Sequence, residues 1–286
     1  MSTNVFEVRN VTYRYNEVTA LSDLTLSIRQ HTRVAILGAN GSGKSTFLRL
    51  LDALYFPDTG EITAFNAPLT EEAMQDEEFA FSFRRRVAFV FQNPDVQLFN
   101  PTVFDEVAFG PLQLRWKPDE IRRRVTDTLE LMEIAHLKDR APHRLSGGEK
   151  KRVALASVMI LDPEVLLLDE PTAALDPKSQ GRVVDFLVGW GGGVKTVITA
   201  THDLEIVEDI ADYCFVFQNG RIVAGGAPAE ILADAALLES SNLIHAHRHS
   251  HSSGVIHSHP HFHRSHDHYH SDEKNSDEKN QPTEKS

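Results

Sequence analysis

The chain has 286 residues, 41% of them hydrophobic, enough for one large domain or two small ones around a substantial core. Its 41 acidic residues outnumber the 29 Lys and Arg, and a formal net charge of −12 excludes a general affinity for the nucleic-acid backbone, which needs cations to displace counterions. The single Cys214 has no partner for an internal disulfide, as suits a reducing cytoplasm.

The start, MSTNVFEVRN, lacks the basic-then-apolar pattern of a secretory signal. Alternating apolar residues in VFEVRNVTYRY and LSDLTLSI predict two strands, RVAIL (33–37) a buried strand, and KSTFLRLLDAL the helix that follows. The turn PDTG (57–60) leads to EITAF, a strand; EEAMQDEE reads as a solvated acidic face, and RRRVAFVFQ as a further strand. From about 101 to 162 the pattern is helical: KPDEIRRRVTDTLELM opens on Pro118, which a first helical turn accepts, and EKKRVALASVMIL continues the period. The longest apolar run, VALASVMIL at 153–161, is too short for a hydrocarbon layer of about 30 Å, so any membrane role requires other subunits. Strand patterns return in EVLLLDE (164–170), KTVITATH (195–202) and YCFVFQNG (213–220). The alternation predicts an α/β fold with a mostly parallel core and an inserted helical subdomain. Beyond about Ile244 most apolar residues are lost, and 271–280 is SDEKN twice; the tail, 241–286, is expected to be disordered because it cannot bury enough surface to offset its ordering entropy.

GANGSGKS, Gly38 to Ser45, has the phosphate-binding spacing G-x-x-x-x-G-K-[ST] between a strand and a helix. Gly38, Ala39, Asn40, Gly41, Ser42 and Gly43 curl the backbone so that successive N–H groups face phosphate oxygens, and the following helix adds its positive dipole end. Lys44 is the predicted ligand of the β and γ phosphates, Ser45 of Mg²⁺, and Thr46 of the α-phosphate side. EVLLLDE ends in Asp169, placed for the magnesium shell, and Glu170, placed to orient or deprotonate water. Two adjacent carboxylates after a buried strand are unfavourable without a nearby cation.

LSGGEKKR, Leu145 to Arg152, makes the chain resemble the ATP-binding cassette ATPases. That resemblance implies a nucleotide-binding domain over 1–240, with a RecA-like core, N-terminal antiparallel strands and a helical subdomain. It implies that Ser146, Gly147, Gly148 and Glu149 cap the γ-phosphate of a partner subunit's ATP. Tyr15 is implied to stack on adenine, Gln92 to sense the γ-phosphate and join the magnesium shell, Asp176 to sit near the dimer seam, and His202 to act as the switch histidine. Glu149 departs from the usual Gln of the signature, and Ala173 from a frequent Ser. VFQNPDVQLFNPTVFDEVAFGP (90–111) is similar to the segment after the sensing Gln in the ATPases of energy-coupling factor importers, which take up vitamins, cobalt or nickel, although Asp105 and Glu106 stand in reversed order. Phe99, Val103, Phe104, Val107 and Phe109 are expected mostly to pack the subdomain. The resemblance implies ATP and Mg²⁺ as cofactors, a peripheral place on the cytoplasmic face of the membrane, a second ATPase subunit forming a homodimer, and a transmembrane coupling subunit with a substrate-binding membrane subunit.

Imidazoles recur at alternate positions in the tail: His245, His247, His249, His251, His257, His259, His261, His263, His266, His268 and His270. Positions i and i+2 of an extended chain share a side, about 6–7 Å apart, so pairs can close on one ion. Neutral imidazole suits nickel, zinc and copper(II), and cobalt less tightly, the lack of Cys and Met disfavours copper(I), and the resemblance to energy-coupling importers narrows these to nickel or cobalt. Ser, Arg, Pro, Phe and Tyr interrupt the series, unlike a purification tag. The sequence therefore reads as an ATPase driving nickel or cobalt import. The alternatives are a vitamin or zinc importer whose tail buffers metal, and a metal-storage or metal-chaperone NTPase. A guanine-specific chaperone needs an Asn-Lys-x-Asp selector, which the chain lacks.

Overall fold

The computed structural model describes residues 3–191 and 194–244, together with the backbone of 246–250 and 256–260. In chain order the elements are β1 (Asn4–Tyr15), β2 (Val18–Arg29), β3 (Arg33–Leu37), α1 (Lys44–Leu51), β4 (Thr59–Ala64), β5 (Ala67–Pro68), α2 (Glu71–Gln75), α3 (Glu77–Arg86) and β6 (Val87–Val90). Then follow α4 (Val103–Gln113), α5 (Pro118–Leu131), α6 (Gly147–Met159), β7 (Val165–Asp169), α7 (Pro177–Gly191), β8 (Thr196–Thr201), α8 (Val207–Ile210), β9 (Tyr213–Gln218), β10 (Arg221–Gly226), α9 (Pro228–Ala233) and α10 (Ala235–Ser240). Two tail strands, β11 (Ala246–Ser250) and β12 (Ile256–Pro260), close the series.

Neighbouring residues of the buried strands face two different cores. In β7, Val165 and Leu167 pack toward the N-terminal sheet while Leu166 and Leu168 pack toward the helices; Val34 and Ile36 of β3 divide from Ala35 and Leu37 in the same way. Strands buried on both faces read as continuous apolar runs, which is why RVAIL and VLLL carry no alternation. They belong to a six-stranded sheet of order β10-β9-β3-β8-β7-β6, parallel except for β10. The other sheet, β2-β1-β4-β5, is antiparallel and covers α1 through Phe6, Leu21, Phe47 and Leu50. Helices α4, α5 and α6 form the subdomain, with Val107, Val125, Leu129 and Leu155 in its interior. Leu238 and Ile244 are buried in the same core, so packing continues four residues into the segment 241–286 that was expected to be disordered.

The segment 71–86 departs from its predicted form. EEAMQDEE is mostly exposed, as expected of a solvated face, but it is helical, spanning α2 and the start of α3, and Arg84–Arg86, read as the start of a strand, are the last turn of α3. Thr70 and Asp76 cap the two helices by accepting from Ala73 N–H (3.1 Å) and Phe79 N–H (2.7 Å). Acidic Glu77 and Glu78 at the start and three arginines at the end complement the helix dipole, while Ala80 and Phe83 supply the buried face. Arg86 donates to both carboxylate oxygens of Glu164 (2.8 and 2.9 Å), tying the end of α3 to the start of β7.

In the tail, β11 and β12 pair antiparallel, with His247 opposite His259 and His249 opposite His257. His245, His251, His261, His263, His266, His268 and His270 lie outside the described residues, as does most of the segment predicted to be disordered.

Candidate active site

The parallel strands end together at one edge of the sheet, where the phosphate loop leaves β3, Gln92 follows β6, Glu170 follows β7 and His202 follows β8. Gly41 and Gly43 take φ of +82° and +103° in the loop. A Cβ on Gly43 would meet the Leu21 side chain at 2.7 Å and the Ala20 carbonyl at 2.9 Å, so only glycine brings the loop this close to β2.

Lys44 is buried, and its Nζ donates to the carbonyls of Gly38 (2.6 Å) and Ala39 (3.2 Å) while lying 3.4 Å from Glu170 Oε1. Ser45 Oγ donates to Asp169 Oδ1 at 2.9 Å, putting a hydroxyl and a carboxylate side by side. Burial raises the Asp169 carboxyl above the ordinary carboxylate range, the Ser45 hydrogen bond opposes this, and the charge of Glu170 adds to it. Hard oxygen donors around a buried carboxylate held above its ordinary range suit a small divalent cation, which would return that carboxylate to its charged form.

Glu170 is 4% exposed and takes a left-handed φ of +46°, uncommon for a residue with a long side chain. Its N–H donates to the Ala200 carbonyl (2.9 Å), and the N–H of Ala173 donates to its carbonyl (3.2 Å), so hydrogen bonds on both sides hold the turn. His202 Nδ1 lies 2.9 Å from Glu170 Oε1, and Thr201 Oγ1 donates to Oε2 at 3.4 Å. The carboxylate is thereby fixed from three sides at the mouth of the site.

These groups border a cleft of about 570 Å³ lined by Tyr15, by Asn40 through Thr46, by Gln92 and by Glu170, with Val18, Thr19 and Ala20 completing one wall. Gly38 and Ala39 serve from behind, as acceptors for Lys44. Tyr15 Oη is 3.3 Å from Thr46 Oγ1, and its ring meets Tyr13 and Tyr55 edge-on at 5.0 and 5.7 Å. An aromatic wall thus stands beside the loop.

The signature turn lies elsewhere on the chain. Ser146 caps α6 in a reciprocal box: its N–H donates to Glu149 Oε2 (2.8 Å) and its Oγ accepts from Glu149 N–H (3.4 Å). Glu149 therefore does the capping work open to the usual Gln, and the Ser146 N–H holds its carboxyl below the ordinary range. A Cβ on Gly148 would approach Ser179 Oγ to 2.7 Å. That serine donates through Oγ (2.6 Å) and N–H (3.1 Å) to Asp176, so Asp176 caps α7 and the two helix starts meet at Gly148.

In the segment 90–111, Val103 and Val107 are buried as expected and Phe104 partly so, but Phe99 is 67% exposed and pairs edge-on with Phe109 at 5.0 Å. Glu106 is buried and accepts from the N–H groups of Phe99 (2.8 Å) and Asn100 (2.7 Å), while Asp105 accepts from Thr102 Oγ1 (2.6 Å) at the helix start. The Asp-Glu order places the longer acid where it reaches the loop.

Sequence reading passed over Lys151, Gln97 and Ser179. Lys151 is 1% exposed on the face of α6 that carries Ala154 and Leu155, and burial pushes its pKa down to about 8 against the raising effect of Asp169 and Glu170. A lysine three and four residues before Ala154 and Leu155 on an apolar helix face was the available signal.

The sheet edge and its loop make this a P-loop nucleotide-binding ATPase. Residues 21–173 match the family model described as ABC transporter. The chain is 54% identical over 245 residues to the nickel import ATP-binding protein NikO of Rhodobacter capsulatus, covering 85% of this chain and 96% of that one. Its fold is similar to cbiO1 from Clostridium perfringens, part of the ABC transporter complex cbiONQ (TM-score 0.71, 37% identity, 84% of this chain and 95% of that one). It is also similar to the ATP-binding cassette MJ0796 in a dimeric post-hydrolysis state bound to ADP and Pi (TM-score 0.70, 28% identity, 78% and 98%). The chain belongs to the ATP-binding cassette transporter family, as an ATPase coupled to transport. Among the described residues no helix is long and apolar enough to cross a membrane.

Proposed function

We propose that the chain is the ATPase subunit of an importer for nickel or cobalt, working as a head-to-tail homodimer on the cytoplasmic face of the membrane with a coupling subunit and a substrate-binding subunit. The observation that carries the dimer is the composition of the cleft: among the described residues its lining includes Lys44, Ser45, Gln92 and Glu170 but none of Ser146 to Glu149. Each chain thus holds one catalytic half-site and, separately, one capping turn. Lys44 binds the β and γ phosphates, Glu170 orients or accepts a proton from the attacking water, and His202 holds Glu170 in place. Ser45, Asp169 and Gln92 would hold Mg²⁺, which supplies positive charge on the phosphate oxygens. Tyr15 forms the adenine wall, and Asp176 presents α7 at the seam.

The exposed Val96, Phe99, Phe109 and Leu112 next to the Gln92 loop support a membrane-subunit docking face, since surface apolar side chains grouped in this way mark contact sites. Metal cargo is supported by the similarity to NikO and cbiO1 and by the tail, where His247, His249, His257 and His259 fall on one face of the β11–β12 ribbon by register. Among the described residues whose side chains are placed, no cluster of three or more His, Cys, Asp or Glu suits a metal, which leaves the tail as the candidate.

Calorimetric titration of the full chain and of a chain lacking 245–286 with Ni²⁺, Co²⁺ and Zn²⁺ tests the tail, and uptake of labelled ions by cells co-expressing the membrane subunits tests the cargo. The expected result is fewer bound ions after truncation, affinity that falls as pH drops through about 6.5, and uptake of nickel or cobalt. Equal stoichiometry in the two chains rejects the tail as a metal site. Uptake of zinc or a vitamin alone, with metal still held by the tail, assigns the importer to that cargo and the tail to buffering.

A further inference from the structure

The loop that carries Gln92 is fastened to the helix that carries the signature. Lys151, in the first two turns of α6, sends its Nζ across to the carbonyls of Phe91 (3.0 Å) and of Gln92 itself (3.1 Å). Beside it, Lys150 Nζ pairs with Asp95 at 2.6 Å, in the short helical turn Pro94–Val96 that follows. Gln97 closes the loop: its Nε2 donates to the Ala154 carbonyl (3.0 Å) and Ser157 Oγ (3.2 Å), while its Oε1 accepts from Phe91 N–H (3.2 Å).

Of these contacts, the one from Lys151 is physically the least expected. Burying an ammonium is unfavourable unless hydrogen bonds replace its water, and among the described residues Asp169 and Glu170 favour the Lys151 charge without forming an ion pair with it. A methyl-tipped side chain of similar length would fill the space without that penalty. What it would not do is hold two consecutive carbonyls, and those two fix the backbone from which the Gln92 side chain enters the cleft. Ser146 sits at the start of the same helix, about 1.4 turns before Lys151.

We propose that Lys151 is a positioning residue for Gln92: by holding the carbonyls of Phe91 and Gln92 it joins the sensing loop and the signature turn into one rigid unit, so that a displacement of Gln92 on nucleotide binding moves Ser146 with it. The inference rests on Gln92 being the γ-phosphate-sensing residue proposed above. It assigns to the signature helix a task within its own chain, in addition to capping nucleotide across the dimer.

The test is steady-state ATP hydrolysis by the full-length chain carrying Lys151→Met, Lys151→Arg, Gln92→Ala, and Lys151→Met with Gln92→Ala. Lys151→Met is expected to lower kcat on the order of tenfold with KM for ATP within about twofold, because the phosphate loop is untouched. Lys151→Arg, which keeps charge and donors, restores most of kcat. The double variant is no slower than Gln92→Ala alone, since both changes remove the same positioned group. A lower melting temperature for Lys151→Met with unchanged kcat per folded molecule overturns the proposal in favour of a packing role, and so do additive losses in the double variant. If Lys151→Met does not fold, Lys151→Gln, with one shorter donor and the same cycle, gives the same reading. Gln92→Ala with unchanged kcat shows instead that the sensing role assigned to Gln92 is wrong, which the Lys151 variants alone would not reveal.

Discussion

The two half-sites of the chain are built in opposite ways. Around the phosphate loop, charges are buried and mutually satisfied: Lys44 and Glu170 are each 5% exposed at the side chain, 3.4 Å apart, with Asp169 and Ser45 alongside. The signature turn is open, and its hydrogen bonds are spent on itself through the Ser146–Glu149 box. The buried half has its charged groups already in place around the cleft; the open half has its partners behind it, in Lys150, Lys151 and Ser179. In the proposed dimer a site divided this way is inactive in a lone chain, and closure of two chains would be the step that nucleotide controls.

The sharpest way to break this contrast is to remove one half at a time. Glu170→Gln should lower hydrolysis by at least about a hundredfold while ATP binding survives, because the change removes the proton acceptor but neither Lys44 nor Ser45. Equilibrium nucleotide binding and turnover, measured on the same preparation, check it; near-normal turnover would show that the carboxylate is not catalytic. Ser146→Ala should cost less, on the order of tenfold in turnover together with about 1 kcal/mol of helix capping, read by kinetics and thermal melting. Mixing these two impaired variants in equal amounts should then raise activity toward about a quarter of wild type, well above the average of the two alone, since half of the random dimers of the proposed kind carry one intact site of two. No recovery on mixing would place both halves in one chain and remove the basis for the dimer.

The smallest effect belongs to Glu149. Its carboxyl is held below the ordinary value of 4.5, first by the Ser146 N–H, so it adds stability that is present above that value and is lost as pH falls through its own lower one. Glu149→Gln keeps the box but removes the titration. Melting curves of the two proteins should converge as the solution is acidified below about pH 4.5 and differ by under about 1 kcal/mol at neutral pH, the group being partly exposed to screening solvent.

The two halves were also unequally legible in the sequence. The phosphate loop, the Asp169–Glu170 pair and the strands beneath them are local patterns, and the structure brings them together at one sheet edge because parallel strands end there. Arg84–Arg86 were misread as strand because charged residues beside an apolar run carry no period of their own; the caps at Thr70 and Asp76 were the informative residues. Most of the apolar residues of 90–111 pack the subdomain as expected, but composition alone did not say that Phe99 and Phe109 would be the ones with a free face. Lys151 was missed because its partners are backbone carbonyls 60 and 59 residues away, which leave no mark in side-chain spacing.

Glu106 bears on how readily the exposed aromatic pair finds a companion. By accepting from the N–H groups of Phe99 and Asn100 it fixes the loop in advance, so the entropy of ordering that loop is spent when the chain folds and not when a second protein arrives. A surface prepared in this way associates fast and with little rearrangement. The same readiness makes the face sticky when nothing covers it: the isolated chain should self-associate through it, and detergent or a polar replacement at Phe99 should keep it dispersed.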